Sequence, residues 1–444
     1  MNKLIIIGLT LLSCAMAANY AVLVAGSNYY YNYRHQSDVC HAYHTLLNKG
    51  YKPENIIVMS YNDVAKDPQN PFPGQLFNKP DLNGPGVDVN QGCVIDYQGD
   101  DVNPQNYLAI LEGKKDKVSG GNGRVLESGP QDHVFLSFFD HGAPGLIAFP
   151  NEYLYASDLL TTFQNMFANK KYQRLVYYLE ACESGSMFVD LSKNLNIYAL
   201  SAASPEESSW AAYCGDQAVI NQINIGSCLG DLFSVNWMED TDNHKSLSNY
   251  PLQKQFQVIK KETNLSKVMQ WGNLALNFKY EATGDYLSGT THSNFFSNLI
   301  TPITDFFKRL FNIGLEEELK YYKALENTKL NLVNSRDVYM NYLQNNYKKN
   351  PTPQNKKLII QALEKSKQFQ SLFDRFSKDF STLGNSNHKS TNFTCYKQLI
   401  SQFQSVFGRV PEDKYSEFKH FYEYCGSQKY YQENDFYKYF KSLQ

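Results

Sequence analysis

The sequence has no run of apolar residues long enough to cross a bilayer, which takes roughly 20 of them in a helix. The stretch Leu4–Leu12 near the N-terminus falls well short. It follows Lys3 and precedes the small residues Ala15-Met16-Ala17, the layout of a secretory signal cleaved after Ala17; a buried N-terminal strand is the alternative. A membrane span is therefore not expected. There is no dense basic stripe either, which argues against nucleic acid as a partner, and there are no internal repeats, which excludes a solenoid. At 42% hydrophobic and 19% charged residues the composition is globular rather than disordered. The 444 residues suit two or three domains.

Cysteine is sparse. Of eight, Cys14 lies in the expected signal, leaving seven, an odd number in a compartment that permits disulfides. At least one free thiol is expected. Two sequons, Asn264-Leu265-Ser266 and Asn392-Phe393-Thr394, fit the secretory route as glycosylation sites. Charge is uneven: residues 300–444 carry 22 Lys+Arg against 15 Asp+Glu, and residues 1–299 carry 20 against 29. A basic half and an acidic half attract each other, so docking between them is expected.

Uniformly apolar runs at 19–26, 55–61, 133–142, 174–182 and 196–204 alternate with helical patterns at 34–47, 104–111 and 156–169. A loop rich in Pro, Gly, Asn and Asp fills 62–103. This alternation predicts an α/β fold with a mainly parallel sheet covered on both faces. Beyond a linker-like stretch at 285–325, the segments 315–347, 354–383, 394–407 and 412–424 carry apolar residues at helical spacing, which predicts a separate helical domain.

In sheets of this kind, sites form beyond the carboxyl ends of the strands. Two ends carry chemistry: Asp140-His141-Gly142 and Glu180-Ala181-Cys182-Glu183. If the two strands are neighbours, His141 and Cys182 stand side by side as base and thiol nucleophile. The N–H groups of Gly142 and Cys182 would face a developing oxyanion. The two glutamates work against a reactive thiol; His141, and the dipole of a helix expected to start at "ESGSM", would offset them. A papain-type arrangement does not fit, because there the cysteine precedes the histidine and no "CGSCW"-like stretch is present.

The stretches "AGSNYYYNYRHQSDVCHAYHTL", "SGPQDHVFLSFFDHGAPG", "YYLEACESGSMF", "PEESSWAAYC" and "CLGDLFSVNWMED" resemble the legumains, the asparaginyl endopeptidases among caspase-like cysteine peptidases. "LVNSRDVYMNYLQNNYKKNP" is similar to the start of that family's C-terminal prodomain. The resemblance implies Cys182 as nucleophile, His141 as general acid/base and Asn32 as the residue that orients the histidine. Gly142 and Cys182 would supply the oxyanion N–H groups. It places the pocket for the substrate asparagine at Arg34, His35, Glu180, Ser209 and Asp231, and marks Asp140 as a position found as a succinimide in relatives. The pocket makes sense physically: Arg34 and His35 donate to an amide oxygen, and Glu180 and Asp231 accept from its nitrogen. Aspartate, once protonated, imitates the amide, so cleavage after Asp belongs to acid pH. Glu183 is left with two roles, orienting substrate or capping the turn.

The resemblance also implies disulfides Cys214–Cys228 and Cys395–Cys425. It leaves Cys40, read as a core residue in a helical stretch, and Cys93 without a role. It divides the chain into a signal (1–17), a caspase-like peptidase domain (18–287), a linker (288–334) and a death-domain-like helical prodomain (335–444). The prodomain would dock over the site as an intramolecular inhibitor and leave on acidification. Self-cleavage would follow at Asn334, with Asn312 and Asn298 as alternatives. Expected partners are protein and peptide substrates and cystatin-type inhibitors, without metal or cofactor, in a lysosome, a vacuole or outside the cell. A peptide ligase using the same thioester is the runner-up. A relative of the GPI transamidase catalytic subunit fits less well because of the helical tail.

Overall fold

The five apolar runs form adjacent strands: β1 Asn19–Ala25, β2 Ile56–Ser60, β3 His133–Phe139, β4 Arg174–Glu180 and β5 Ile197–Ser201. The computed structural model describes residues 17–81, 85–289, 330–380, 391–427 and 436–444. Residues 1–16 of the expected signal, most of the expected linker, and Asn298 and Asn312 lie outside the described residues.

Among the short strands that follow are β6 Trp210–Ala212, β7 Gly230–Asp231, β8 Met269–Gly272 and β9 Val333–Asn334. The main sheet has the order β8-β5-β4-β3-β1-β2. All its pairs are parallel except the β8–β5 edge, which the sequence reading does not anticipate. Helices α1 Tyr33–Asn48, α4 Leu232–Asn243 and α5 Leu252–Glu262 pack on one face, and α2 Pro104–Glu112 and α3 Ala156–Ala168 on the other. Burial on both faces is why these strands read as unbroken apolar runs. Helix α2 shows its boundaries in the sequence: Asn103 caps it by accepting from the Asn106 N–H, Pro104 opens it, and Gly113 closes it at φ 71°.

Register positions the site. Phe139 at the end of β3 pairs with Glu180 at the end of β4, so His141 and Cys182, each two residues further on, leave the sheet as neighbours. The backbones then approach closely, for a Cβ at Gly142 would lie 2.2 Å from the Cys182 carbonyl oxygen. Only glycine fits there.

The C-terminal part is helical: α6 Val338–Lys349, α7 Pro353–Phe380, α8 Phe393–Phe407, α9 Lys419–Ser427 and α10 Phe436–Ser442. The helix expected over 412–424 is instead a 3₁₀ segment, Glu412–Phe418, leading into α9. Phe373, Phe376, Phe403, Phe421 and Phe440 centre an aromatic core, which also takes in Ala143, Leu146 and Ala148. Those three come from a small antiparallel sheet of Gly142–Ala143, Leu146–Ala148 and Tyr153–Tyr155 directly after His141. The helical part is thus packed onto the rim of the strand ends. The described end of the expected linker is no plain spacer, because β9 pairs antiparallel with β6, which also holds β7.

Cys214–Cys228 and Cys395–Cys425 are disulfides in the structure. Cys40 is buried in α1 as expected, but it is also bridged to Cys93 across 53 residues. One partner sits in a loop without pattern, so nothing in the sequence joins them. Among the described residues Cys182 is the free cysteine. No helix among them is long and apolar enough to cross a membrane.

Candidate active site

Cys182 is fully buried. Its Sγ accepts from the Ser209 N–H at 3.3 Å and lies 3.6 Å from the Ser209 hydroxyl. Burial pushes the thiol up; the Arg336 guanidinium pulls it down, Glu183 adds to the rise, and the Ser209 hydrogen bonds counter it. The residues after it form a 3₁₀ turn, Ser184–Met187, rather than an α-helix, so the expected helix dipole is absent. The positive charge beside the thiol comes from Arg336 instead.

His141 Nε2 lies 3.0 Å from Asn32 Oδ1 and 3.2 Å from a Glu412 carboxylate oxygen, while its buried Nδ1 has no partner. Burial holds the ring below its ordinary pKa, with Glu412 pulling the other way. Burial alone would raise the Glu412 carboxyl, but His141, Asn32 and Arg34 outweigh it and hold it at about 2. Asn32 stands just before α1, and Glu412 comes from the helical C-terminal part. Glu412 is absent from the sequence reading: "PEDKYSEF" signals a helix start and nothing more.

Around these two lies a buried polar cluster. Arg34 Nε donates to Asp231 Oδ1 at 2.8 Å, and Nη1 to Asn32 Oδ1 at 3.3 Å. His35 Nδ1 lies 2.6 Å from the Ser27 hydroxyl and 3.4 Å from Asp140 Oδ1, and its Nε2 lies 3.3 Å from Asp231 Oδ2. Glu180 Oε2 accepts from the Ser234 N–H and hydroxyl, both at 2.9 Å. Yet Arg34 Nη2 and Glu180 Oε1 are buried without a hydrogen bond, and His35 Nε2, Asp231 Oδ2 and Asp140 Oδ1 have only the ion-pair contacts of 3.3–3.4 Å just described. Buried polar atoms are normally satisfied, so donors and acceptors held open together are prepared for a guest with both. Burial, then Asp231, pushes the Glu180 carboxyl well up. Burial does the same to Asp140, and to Asp38, whose carboxylate accepts from the Asp231 N–H at 3.2 Å. His35, Asp140 and His141 also offer ligand atoms within 4.8 Å of one another and are the group among the described residues that could hold a metal ion.

The structure brings together nearly every site residue named from the sequence. The exceptions are instructive. Glu183 does not cap its turn by its side chain; its carboxylate pairs with Arg336. Asn334 is not in the polar cluster, for its side chain accepts from the Arg336 N–H at 3.0 Å. Ser335 is the residue beside the thiol: its N–H donates to the Ser209 carbonyl at 3.1 Å and its hydroxyl lies 3.2 Å from that of Ser209. Asn264 is exposed. Asn392 is half-buried and caps α8 by accepting from the Cys395 N–H.

The profile of the peptidase C13 family matches residues 19–284. The chain belongs to the peptidase C13 family. Its relatives include legumain of Bos taurus, 49% identical over 260 residues, which are 58% of this chain and 57% of that protein. The chain therefore spans little more than half of that relative's length. The vacuolar-processing enzyme delta-isozyme of Arabidopsis thaliana is 39% identical over 412 residues, covering 89% of this chain and 84% of that one. Hemoglobinase of Schistosoma japonicum is 48% identical over 262 residues, 59% of this chain and 58% of that protein. The solved structure of caspase-1 from Spodoptera frugiperda covers 63% of this chain and 92% of that one at 9% identity, with a TM-score of 0.35.

Proposed function

We propose that this C13 family member is a cysteine endopeptidase that cuts after asparagine, and after aspartate at acid pH, and is made latent by its own helical C-terminal part. The observation that carries the reading is a buried donor, Arg34 Nη2, and a buried acceptor, Glu180 Oε1, both without a hydrogen bond, in the polar cluster with His35 and Asp231. A carboxamide presents one acceptor and two donors, which that set matches; a charged side chain would leave some of it unmet. The Cys182 thiol gives its proton to His141 and attacks the carbonyl carbon. The N–H groups of Gly142 and Cys182 hold the oxyanion, the amine leaves with the proton from His141, and water hydrolyses the thioester. Capture of the thioester by an amine would give ligation instead. The reading predicts that the acid-treated protein turns over an Ala-Ala-Asn reporter at mildly acid pH and an Ala-Ala-Asp reporter only at lower pH. Equal turnover of the two at every pH would overturn it.

Latency follows from the contacts of the C-terminal part. The peptidase unit is taken as residues 18–287, the linker as 288–334 and the inhibitory part as 335–444. Glu412 holds His141, Lys397 pairs with Asp158 at 2.6 Å, and Arg409 donates to the carbonyls of Phe149 and Pro150. Glu412 is held below its ordinary 4.5, so its contribution to docking is full above that pH and is lost as pH falls toward 2. His141 is held below its ordinary 6.5, so docking favours the neutral ring and weakens as pH falls below 6.5. Glu183, raised by burial, works in the opposite direction. Acid therefore acts first on the buried ring, whose charging burial opposes, while its pairing with Glu412 favours the charged ring and holds until Glu412 itself is protonated. Glu412→Gln is expected to move the pH of activation upward by about one unit, followed as the onset of reporter turnover after timed incubation at each pH. An unchanged onset would remove Glu412 from the lock.

Cleavage after Asn334 would make release irreversible. The wider setting is the secretory pathway with a lysosome or vacuole as destination, with protein substrates and cystatin-type inhibitors as partners. Glycans belong at Asn264 and Asn392, and Asp140 is the position for a succinimide.

A further inference from the structure

Glu183 is the buried ionisable group beside the thiol that the reaction above does not use. In the latent chain it is only 4% exposed, and it faces Arg336, 8% exposed. Two of the guanidinium's three nitrogens have hydrogen-bond partners. Nη2 donates to the Gly142 carbonyl at 2.7 Å and to the Glu183 carboxylate, and Nη1 donates to the Glu412 carbonyl at 3.2 Å. The Glu183 backbone is left-handed, φ 48°, a conformation that costs a non-glycine residue energy. Its N–H donates to the Glu207 carbonyl and its own carbonyl accepts from Ser186, so the backbone that carries the carboxylate is fixed on both sides.

The chain around Arg336 fixes what this place is. Val333–Asn334 runs antiparallel along β6 as an added strand, with Val333 opposite Ala211 and Asn334 opposite Trp210, and Ser335 opens the 3₁₀ turn Ser335–Asp337. Ser335 touches Ser209, the thiol's own hydrogen-bond partner, through both backbone and hydroxyl. Ser335 therefore stands where the residue before a scissile bond would stand, and Arg336 where the first residue of the leaving group would stand. Asn334, one residue back, spends its side-chain oxygen on the Arg336 N–H at 3.0 Å and does not fill the pocket. That accounts for the unfilled polar cluster.

We propose that Glu183 and the Gly142 carbonyl form a subsite for a guanidinium or ammonium group on the residue immediately after the cleaved bond, so that substrates with Arg or Lys there are preferred. This rests on the reading of Cys182 as the nucleophile and adds to it a substrate class. In the latent chain Arg336 fills the subsite and holds the segment one residue out of step for cleavage after Asn334. Once the C-terminal part has left, Glu183 and Gly142 remain with the N-terminal part, and a substrate cation takes the place of Arg336. A hydrogen bond between two charged groups in a largely buried site is worth enough for about a tenfold preference.

The experiment uses the full chain after acid activation and internally quenched peptides with Ala-Ala-Asn before the cleaved bond. They carry arginine, or its neutral isostere citrulline, directly after it. The expected result is a kcat/KM about tenfold higher for arginine, and a ratio that collapses to near one in Glu183→Gln. A ratio near one in the wild type overturns the subsite, as does a ratio that survives Glu183→Gln. If Glu183→Gln does not activate, the arginine–citrulline pair on the wild type decides alone. If neither peptide is cut by the activated wild type, the peptidase reading itself falls, a different failure from equal cleavage of both.

Discussion

Cys182→Ala is expected to reduce hydrolysis of an Ala-Ala-Asn reporter by at least about 10⁴-fold, since removal of a nucleophile leaves only binding and oxyanion contacts to help water. The side chain is small and buried, and its hydrogen bond is with Ser209, so the disulfides and the strand ends have no reason to move. Two measurements separate chemistry from folding. Circular dichroism and the thermal midpoint should be close to those of the wild type, while turnover is lost. The variant should still release its C-terminal part on acidification, because the His141–Glu412 contact is intact, but should show no cleavage of its own chain. Turnover equal to the wild type would end the thiol mechanism.

Arg34→Ala is expected to act on both stability and turnover. Arg34 is fully buried and is the cation facing Asp231, close to two further buried carboxyls, Asp38 and Glu180, which their surroundings already push toward the protonated form. Removing one partner of a buried pair costs about 3–5 kcal/mol, because the other charge is left uncompensated. The cluster can then relieve itself only by taking up protons, which is easier at low pH. The loss in denaturation midpoint should be larger at pH 7.5 than at pH 5. If Arg34 is the donor to the substrate amide as proposed, reporter turnover should fall by about 10³-fold even at the lower pH. A variant as stable as the wild type at pH 7.5 would contradict the picture of Arg34 as the pocket's central charge.

The strands, the parallel sheet and the pair His141–Cys182 were legible because burial on two faces leaves a simple trace in sequence, and strand ends are where function gathers. The pocket residues came through the family resemblance, not through spacing; Arg34, Glu180 and Asp231 lie on three separate elements. What the sequence hid is long-range and made by single residues. Glu412 reaches His141 across 271 positions of chain, Arg336 reaches Glu183 across 153, and Cys40 finds Cys93 in a patternless loop. No local period marks such contacts. The 3₁₀ turn after Cys182 was misread as a helix because four small or flexible residues, Ser184–Met187, read alike in either state.

The strand added by Val333–Asn334 also bears on which parts of a target protein are open to cutting. It closes the β6 edge, and on the proposed activation its departure would leave that edge bare. A new occupant must lie down as a strand, held chiefly by main-chain hydrogen bonds that any sequence supplies. A helix or a tightly packed sheet in the target cannot do so without first coming apart. Asparagines in folded cores should then be spared and those in loops, tails and unfolding segments taken, so the enzyme's targets would be set by how easily the polypeptide around an asparagine can be drawn out straight.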